Sequence, residues 1–261
     1  MKILVTGATG FVGNYFIKEL NRDDVSILSR KHISGRKVYV GDLFNKRILS
    51  EATKADIVVH LVGISKRNVL KINYEGTKNL VDACINNKIK RFIFISSFDA
   101  VLSTKYGKSN LKAEEYIKNS GLDYIIIRPT FIYGKNNKEI YKLIKYIKTG
   151  IVPIPGNGNF KLQPVFVDDV VKLIVKSINA KNKNKIYFIG GSQKLTFNEL
   201  VGLISKALKK NPIKINIPKF LIKLINEGLI YDKVCDNSNI EKEFNIYPRR
   251  FDQEIKNLIK A

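Results

Sequence analysis

Apolar residues along this chain fall into two alternating rhythms. Short unbroken runs, closed by glycine or polar residues, read as buried parallel strands: Ile3-Leu4-Val5, Val25–Arg30, Lys37–Leu43, Ala55–Gly63, Arg91–Ser97, a run after Gly121 that ends at Arg128-Pro129, and Ile186–Gly191. Between them lie stretches with helical spacing: Phe16, Ile17 and Leu20 within 14–20, and Leu80, Val81 and Cys84 within 73–84. A helix starting near Tyr106, one carrying Tyr141 and Lys145, one opened by a Thr196-x-x-Glu199 capping box, and a last one in the tail complete the set. Strand and helix in regular alternation predict an α/β fold, a doubly wound parallel sheet with helices on both faces.

The turn after the first strand carries candidate chemistry. Thr6-Gly7-Ala8-Thr9-Gly10-Phe11-Val12-Gly13 places three glycines three residues apart between a strand and a helix. Gly7 permits a tight turn, Gly10 lets backbone N–H groups approach a pyrophosphate, and Gly13 lets the helix pack close to the strand. Strand, glycine turn and helix in that order point to a nucleotide site.

The second strand closes on Ser29-Arg30-Lys31, where an NAD-preferring fold of this kind places a carboxylate for the ribose 2′-hydroxyl. A guanidinium there suits a 2′-phosphate, which it can bind through two N–H groups. Arg30 therefore predicts NADP over NAD; the other reading makes it one more surface cation.

The glycine spacing resembles the opening of the short-chain dehydrogenase/reductase superfamily, in its extended and atypical branches. The resemblance continues through Asn73-x-x-Gly76-Thr77-x-Asn79-Leu80, Arg128-Pro129-x-x-x-Tyr133-Gly134, Val167-Asp168-Asp169-Val170, Ile189-Gly190-Gly191 followed by Leu195-Thr196-x-x-Glu199-Leu200, and the Asn245-Ile246-Tyr247-Pro248 tail. It is strongest to the atypical members that include the NAD(P)H-binding accessory subunit of respiratory complex I, with nucleotide-sugar epimerases and dehydratases more distant.

The resemblance implies a Rossmann-type domain over 1–134 and 165–191 and a small interleaved substrate-side lobe over 135–164 and 192–261. It also implies dinucleotide contacts from Gly7, Thr9, Gly10, Phe11, Val12 and Gly13. Asp42 and Leu43 would lie along the adenine, with Asp42 as a plain turn or cap residue the alternative. Leu61, Val62 and Gly63 would pass the ribose, and Pro129, Phe131 and Ile132 would run beside the nicotinamide. The serine at the end of the fifth strand would polarise the substrate oxygen; Ser97 fits best and Ser96 second. His60 reads as a packed strand-end histidine rather than a base, and Asp168 with Asp169 as a helix start.

One departure matters. The superfamily's chemistry rests on Tyr-x-x-x-Lys on one helix face, the tyrosine moving a proton while the lysine binds the ribose and lowers the phenol's pKa. Four residues past Tyr106 stands Asn110. Lys108 and Lys112 sit at the wrong helical angles. Tyr141 and Lys145 have the spacing but read as an accident of a lysine-rich helix.

Two readings stay open. One is an NAD(P)(H)-dependent oxidoreductase or epimerase/dehydratase-like enzyme acting on an unknown small molecule, with Tyr106, Ser97 and Asn110 as its catalytic set. The other is a catalytically lapsed NADP(H)-holding protein serving a larger assembly.

Composition adds little else. The 261 residues carry a formal net charge of +23. The lysines are spread along the whole chain without a nucleic-acid motif, which argues against a nucleic-acid module. Cys84 and Cys235 have no metal-ligand spacing and read as thiols of a reducing cytoplasm. Neither a signal peptide nor a bilayer-spanning run is expected. The apolar, lysine-bearing stretch Phe220–Ile225 reads as a core-facing helix, or as a membrane-surface or partner-docking one.

Overall fold

A computed structural model of the chain describes residues 1–20, 24–225 and 227–260, with the side chains of 223–225 and 227 set aside. In chain order, β1 (Ile3–Thr6), α1 (Phe11–Phe16), β2 (Val25–Ser29), β3 (Lys37–Val40), α2 (Lys46–Ala52) and β4 (Ile57–His60) come first. A π-helical turn, Leu70–Gly76, runs directly into α3 (Thr77–Asn86). Then follow β5 (Arg91–Ile95), a 3-10 turn at Phe98–Val101, α4 (Lys105–Lys118), β6 (Tyr124–Pro129), β7 (Ile132–Tyr133), α5 (Lys138–Thr149), β8 (Ile151–Pro155), β9 (Lys161–Leu162) and β10 (Val165–Phe166). The chain continues through α6 (Val167–Ile178), β11 (Lys185–Ile189), β12 (Leu195–Thr196), α7 (Phe197–Leu208), β13 (Ile213–Ile217), α8 (Lys219–Ile225), α9 (Ser238–Phe244) and α10 (Phe251–Lys260).

The chain divides into two units. The first, Met1–Arg128 with Val171–Tyr187, holds the seven-stranded sheet in the order β11-β6-β5-β4-β1-β2-β3. All neighbours from β3 through β6 are parallel. Chain order reverses direction across β1 and β4, and in open parallel sheets ligands gather at the carboxyl ends of the strands flanking such a reversal.

Register explains why strands that read as continuous apolar runs are buried. Leu4, Val58 and Phe92 are partners across β1, β4 and β5, and together with Leu28 and Ile126 they meet Leu49 of α2, Leu80, Val81 and Cys84 of α3 and Ile117 of α4. Val5, Ile27, Val59, Ile93 and Ile125, which point to the other face, are fully buried too.

The second unit, Pro129–Val170 with Phe188–Ala261, has its own core around Tyr133, Ile140, Ile144, Ile147, Leu200, Ile204, Phe251 and Ile255. Its pieces are tied by polar links. Gln163 Nε2 donates to the Gly191 carbonyl at 2.7 Å while its Oε1 accepts from Cys235 N–H at 2.7 Å. Asp169 accepts the Arg249 backbone N–H at 2.9 Å.

The exchange points between the units fall at 128, 170 and 187 instead of 134, 164 and 191. The physical reason is pairing: β7 adds to β10, the Thr130 N–H donates to Ile189 O at 3.0 Å, and the Thr130 hydroxyl donates to Gln163 O, so residues 129–134 join the second unit. The first helix also differs from its expected span. It starts at Phe11, directly on Gly10, and its last turn closes on Ile17. The Thr196/Glu199 capping box is present with both reciprocal bonds.

Candidate active site

The glycine turn is built by close backbone contact. Gly7 has φ +77°, and a Cβ there would lie 2.7 Å from the Leu61 carbonyl carbon and 2.8 Å from the Val62 nitrogen. A side chain on Gly13 would lie 2.2 Å from the Gly7 carbonyl oxygen. Gly10 N–H donates to that same oxygen at 2.9 Å, and Gly10 opens α1 with no side chain capping it. The backbone N–H groups at the start of α1 are therefore left for something other than a cap. Thr9 and Gly10 are exposed, Phe11 and Val12 half-buried.

These contacts bring the turn against Leu61 and Val62, which follow β4, with exposed Gly63 next in the chain. A Cβ at Gly63 would meet nothing within 4 Å, so the space beside it is open. Arg30 is exposed just past β2, and Ser29 O accepts Gly41 N–H at 2.9 Å, linking the ends of β2 and β3. Asp42 Oδ1 accepts the Phe44 N–H at 2.9 Å, an Asx turn of its own. Leu43 is not on the surface: its side chain is buried in the core, where a Cβ on Gly76 would approach it to 2.9 Å. Any adenine contact at this point falls to its backbone. Pro129, Phe131 and Ile132 lie in the second unit, Pro129 buried and the other two half-buried.

His60 sits within the core of the first unit. Strand register places Thr6, His60 and Phe94 side by side, and the imidazole stacks on Phe94 with ring centroids 5.4 Å apart. Its Nδ1 is 2.6 Å from Thr6 Oγ1 and its Nε2 is 2.9 Å from Thr77 Oγ1. The Thr77 hydroxyl donates to Asn73 O at 2.6 Å, so it must accept from Nε2–H, and Nδ1 accepts from Thr6. The ring is a neutral Nε2–H tautomer, and burial pulls its pKa down to about 3. It is a packed strand-end residue, with both nitrogens engaged by structure.

Tyr106, Ser97 and Asn110 come together. Thr104 caps α4 by accepting Gly107 N–H at 2.9 Å, which sets Tyr106 in the first turn. Gly107 allows this approach: a Cβ there would lie 2.1 Å from Asp99 O and 2.4 Å from Leu102 O. The helix thus presses onto the 3-10 turn after β5, and the side chains of Ser97 and Asn110 lie close enough to the phenol to favour its ionised form. Ser97 Oγ accepts Asp99 N–H at 3.1 Å, leaving its own proton to donate.

The electrostatics run against the usual design. Burial raises the Tyr106 pKa, and the nearby Asp99 carboxylate raises it further, while the bonds from Ser97 and Asn110 offset part of this. Among the described residues no ammonium counters it: Lys108 is exposed, and the Lys112 ammonium lies over the Tyr74 ring, 5.9 Å from its centroid. Asn110 is itself buried, and its Nδ2 donates to the Tyr106 carbonyl at 3.0 Å, one turn back on its own helix. Tyr141 and Lys145 both lie on the exposed face of α5, in the second unit.

Ser96 is placed differently from Ser97. It is buried, and its hydroxyl donates to Glu114, which Arg128 grips through Nε at 2.9 and 3.2 Å and through Nη2. Ser96 therefore serves a buried ion pair behind the site. No motif marks this pair or Gly107; the two charged partners are fourteen residues apart on different elements.

Asn73 is a further residue whose role the sequence does not show. It is buried in the π-helical turn, pairs with both Ile64 N–H and Ile64 O at 2.9 Å, and donates to Ser109 Oγ at 3.0 Å. Ser109 in turn donates to Tyr106 O at 2.8 Å. A continuous hydrogen-bonded chain thus runs from Thr6, beside the glycine turn, to the backbone of Tyr106.

Comparison with known proteins agrees with this geometry. The NAD dependent epimerase/dehydratase family model matches residues 3–190. A UDP-glucose 4-epimerase of Vibrio cholerae is 26% identical, over 92% of this chain and 87% of its own. The mitochondrial NADH dehydrogenase [ubiquinone] 1 alpha subcomplex subunit 9 of Arabidopsis thaliana is 25% identical, over 82% of this chain and 60% of its own. Among solved structures, the UDP-glucose 4-epimerase of Thermotoga maritima with UDP-glucose superposes with a TM-score of 0.86 at 19% identity, covering 100% of this chain and 98% of the other. The dTDP-glucose 4,6-dehydratase DesIV of Streptomyces venezuelae, with NAD and TYD bound, gives 0.86 at 20% identity, covering 100% and 96%. A glycine turn that only a bare backbone can make, at the reversal point of a parallel sheet and within a match spanning most of its length, makes this chain a member of the NAD dependent epimerase/dehydratase family.

Proposed function

We propose that this protein binds a nicotinamide dinucleotide and catalyses hydride exchange at a hydroxyl- or carbonyl-bearing carbon of a small molecule, with Tyr106 as the proton donor. Gly7, Gly10 and Gly13 give the backbone approach a pyrophosphate needs, and the dinucleotide would supply the hydride. Arg30, exposed at the end of β2, supports NADP over NAD through its guanidinium. DesIV was solved with NAD, so NADPH and NADH should be compared side by side.

The observation that carries this reading is the juxtaposition of Tyr106, Ser97 and Asn110 at the start of α4. A phenol held protonated at neutral pH is ready to give a proton to the alkoxide oxygen that forms when a carbonyl is reduced. Ser97, its oxygen already accepting from Asp99 N–H, donates its own hydrogen to the same oxygen. The reverse direction needs a phenolate, which burial and Asp99 both oppose.

The same observation supports a second reading, a cofactor-holding protein that no longer turns over. Asn110→Lys separates the two. UDP-glucose and dTDP-glucose with oxidised dinucleotide, and their 4-keto forms with NADPH, make a first panel followed by nicotinamide absorbance. Under the enzyme reading, reduction is lost in Tyr106→Phe, and Asn110→Lys raises the oxidative rate at least ~10-fold by placing an ammonium near the phenol. Tight dinucleotide binding with no turnover in either the native chain or the Asn110→Lys variant leaves the holding role.

A further inference from the structure

The second unit turns an apolar sheet face to solvent. β13 pairs in parallel with β8, Ile213 opposite Ile151 and Ile215 opposite Pro153. Alternation sends Val152 and Ile154 of β8 inward, where both are fully buried. The outward positions are Ile151, Pro153, Ile213 and Ile215, and the face ends at half-buried Ile217 opposite buried Pro155. Ile213 is 68% exposed, Ile151 50% and Ile215 47%. A half-exposed sheet ordinarily shows polar residues on this face. Just beyond the strand, Phe220 at 66% and Leu221 at 40% are exposed as well.

Cations border this face at both ends. Ile213 N–H donates to Gly150 O, so Lys148 and the pair Lys209-Lys210 stand at its entry, and Lys219 stands at its exit. From Lys206 to Ile225 there are six lysines and no Asp or Glu. The core-facing expectation for Phe220–Ile225 holds for Ile222, which is buried, and not for Phe220 and Leu221; the side chains of Leu224 and Ile225 lie outside the described residues. Among the described residues no helix is long and apolar enough to cross a membrane, so the arrangement suits lying on a surface.

We propose that the β8–β13 face, with Phe220 and Leu221, docks this protein on an anionic lipid bilayer. The isoleucines and Phe220 enter the headgroup boundary and the bordering lysines meet acidic headgroups. Charge complementarity favours this occupant: a lysine-bordered apolar face, with no Asp or Glu from Lys206 to Ile225, on a chain of net charge +23 repels a second copy of itself.

The test is co-sedimentation of the full chain with vesicles of phosphatidylcholine alone or with about 30% phosphatidylglycerol, with inorganic phosphate as competitor. Binding to the anionic vesicles should exceed that to neutral ones at least ~10-fold and survive millimolar phosphate. Ile213→Ser/Ile215→Ser and Lys209→Glu/Lys210→Glu should each lower it at least ~5-fold, with far-UV circular dichroism unchanged. Equal binding to both vesicle types, displacement by phosphate, or full binding by both variants would overturn the proposal. So would a dimer in sedimentation velocity that Ile213→Ser/Ile215→Ser dissolves, which would assign the face to a second copy.

Discussion

Lowering the pH should destabilise this protein through His60, well above the range where carboxylates titrate. In the unfolded chain the imidazole titrates at 6.5, and in the fold at about 3. Its folded pKa is depressed, so its stabilising effect is present above 6.5 and is lost as pH falls toward 3, because the unfolded chain binds the proton first. With those two values, linkage removes about 2 kcal/mol between pH 7 and pH 5, and about 4 kcal/mol by pH 3. The side chain is 0% exposed, so solvent screening does not reduce this. Asp56, Asp82, Glu199, Asp236 and Asp252 have lowered pKa values and act at still lower pH. Asp169, raised by burial, acts with the opposite sign. Urea unfolding at pH 7 and pH 5, followed by far-UV circular dichroism since the chain has no tryptophan, should be run on the native chain and on His60→Gln. The glutamine amide keeps an acceptor for Thr6 and a donor for Thr77 but does not titrate. The native chain should lose about 2 kcal/mol more than the variant. Equal losses would refute the buried neutral imidazole.

Two further predictions concern packing. Gly13→Ala forces a carbon to 2.2 Å from a backbone oxygen, and should weaken dinucleotide binding by more than ~10-fold with a fall in melting temperature, whereas Gly63→Ala meets open space and should leave melting unchanged; calorimetry with NADH and NADPH reads both. Arg128→Ala strands the Glu114 carboxylate, which is 1% exposed, and should cost about 3–5 kcal/mol in urea unfolding, while the double change Arg128→Met/Glu114→Gln should recover most of that.

Much of the first unit was legible because its signals are local. A strand buried on both faces shows as an apolar run, and a glycine that touches backbone shows as a glycine. Thr196 and Glu199 announced their capping box three residues apart. What stayed hidden depends on partners distant in sequence. Leu43 reads as an adenine contact until Gly76, far along the chain, leaves room for its side chain in the core. The sequence ranks Ser97 before Ser96 by resemblance alone; the physical difference, Glu114 on α4 holding Ser96, shows only in the fold. The rise in the Tyr106 pKa was also beyond reach, because it comes first from burial of the phenol in the fold and then from the Asp99 carboxylate, seven residues back. The compact units part a few residues away from the expected bounds, at β7 and β10, which at two residues each are too short to show a period.

The π-helical turn at Leu70–Gly76 makes the length of this segment as constrained as its composition. A π turn holds one more residue per turn than the α-helix it joins, and a single-residue deletion within 70–72 would regularise it. The backbone would lose nothing in hydrogen bonds. The residues before the deletion, however, would turn round the axis by about 100° relative to α3, and Asn73, held in place by the wider turn, would lose its aim at Ile64 and Ser109. Among relatives, then, substitutions at Leu70, Lys71 and Ile72 should be tolerated more readily than a single-residue gap: outside Asn73 and Gly76, the segment is counted more strictly than it is spelled.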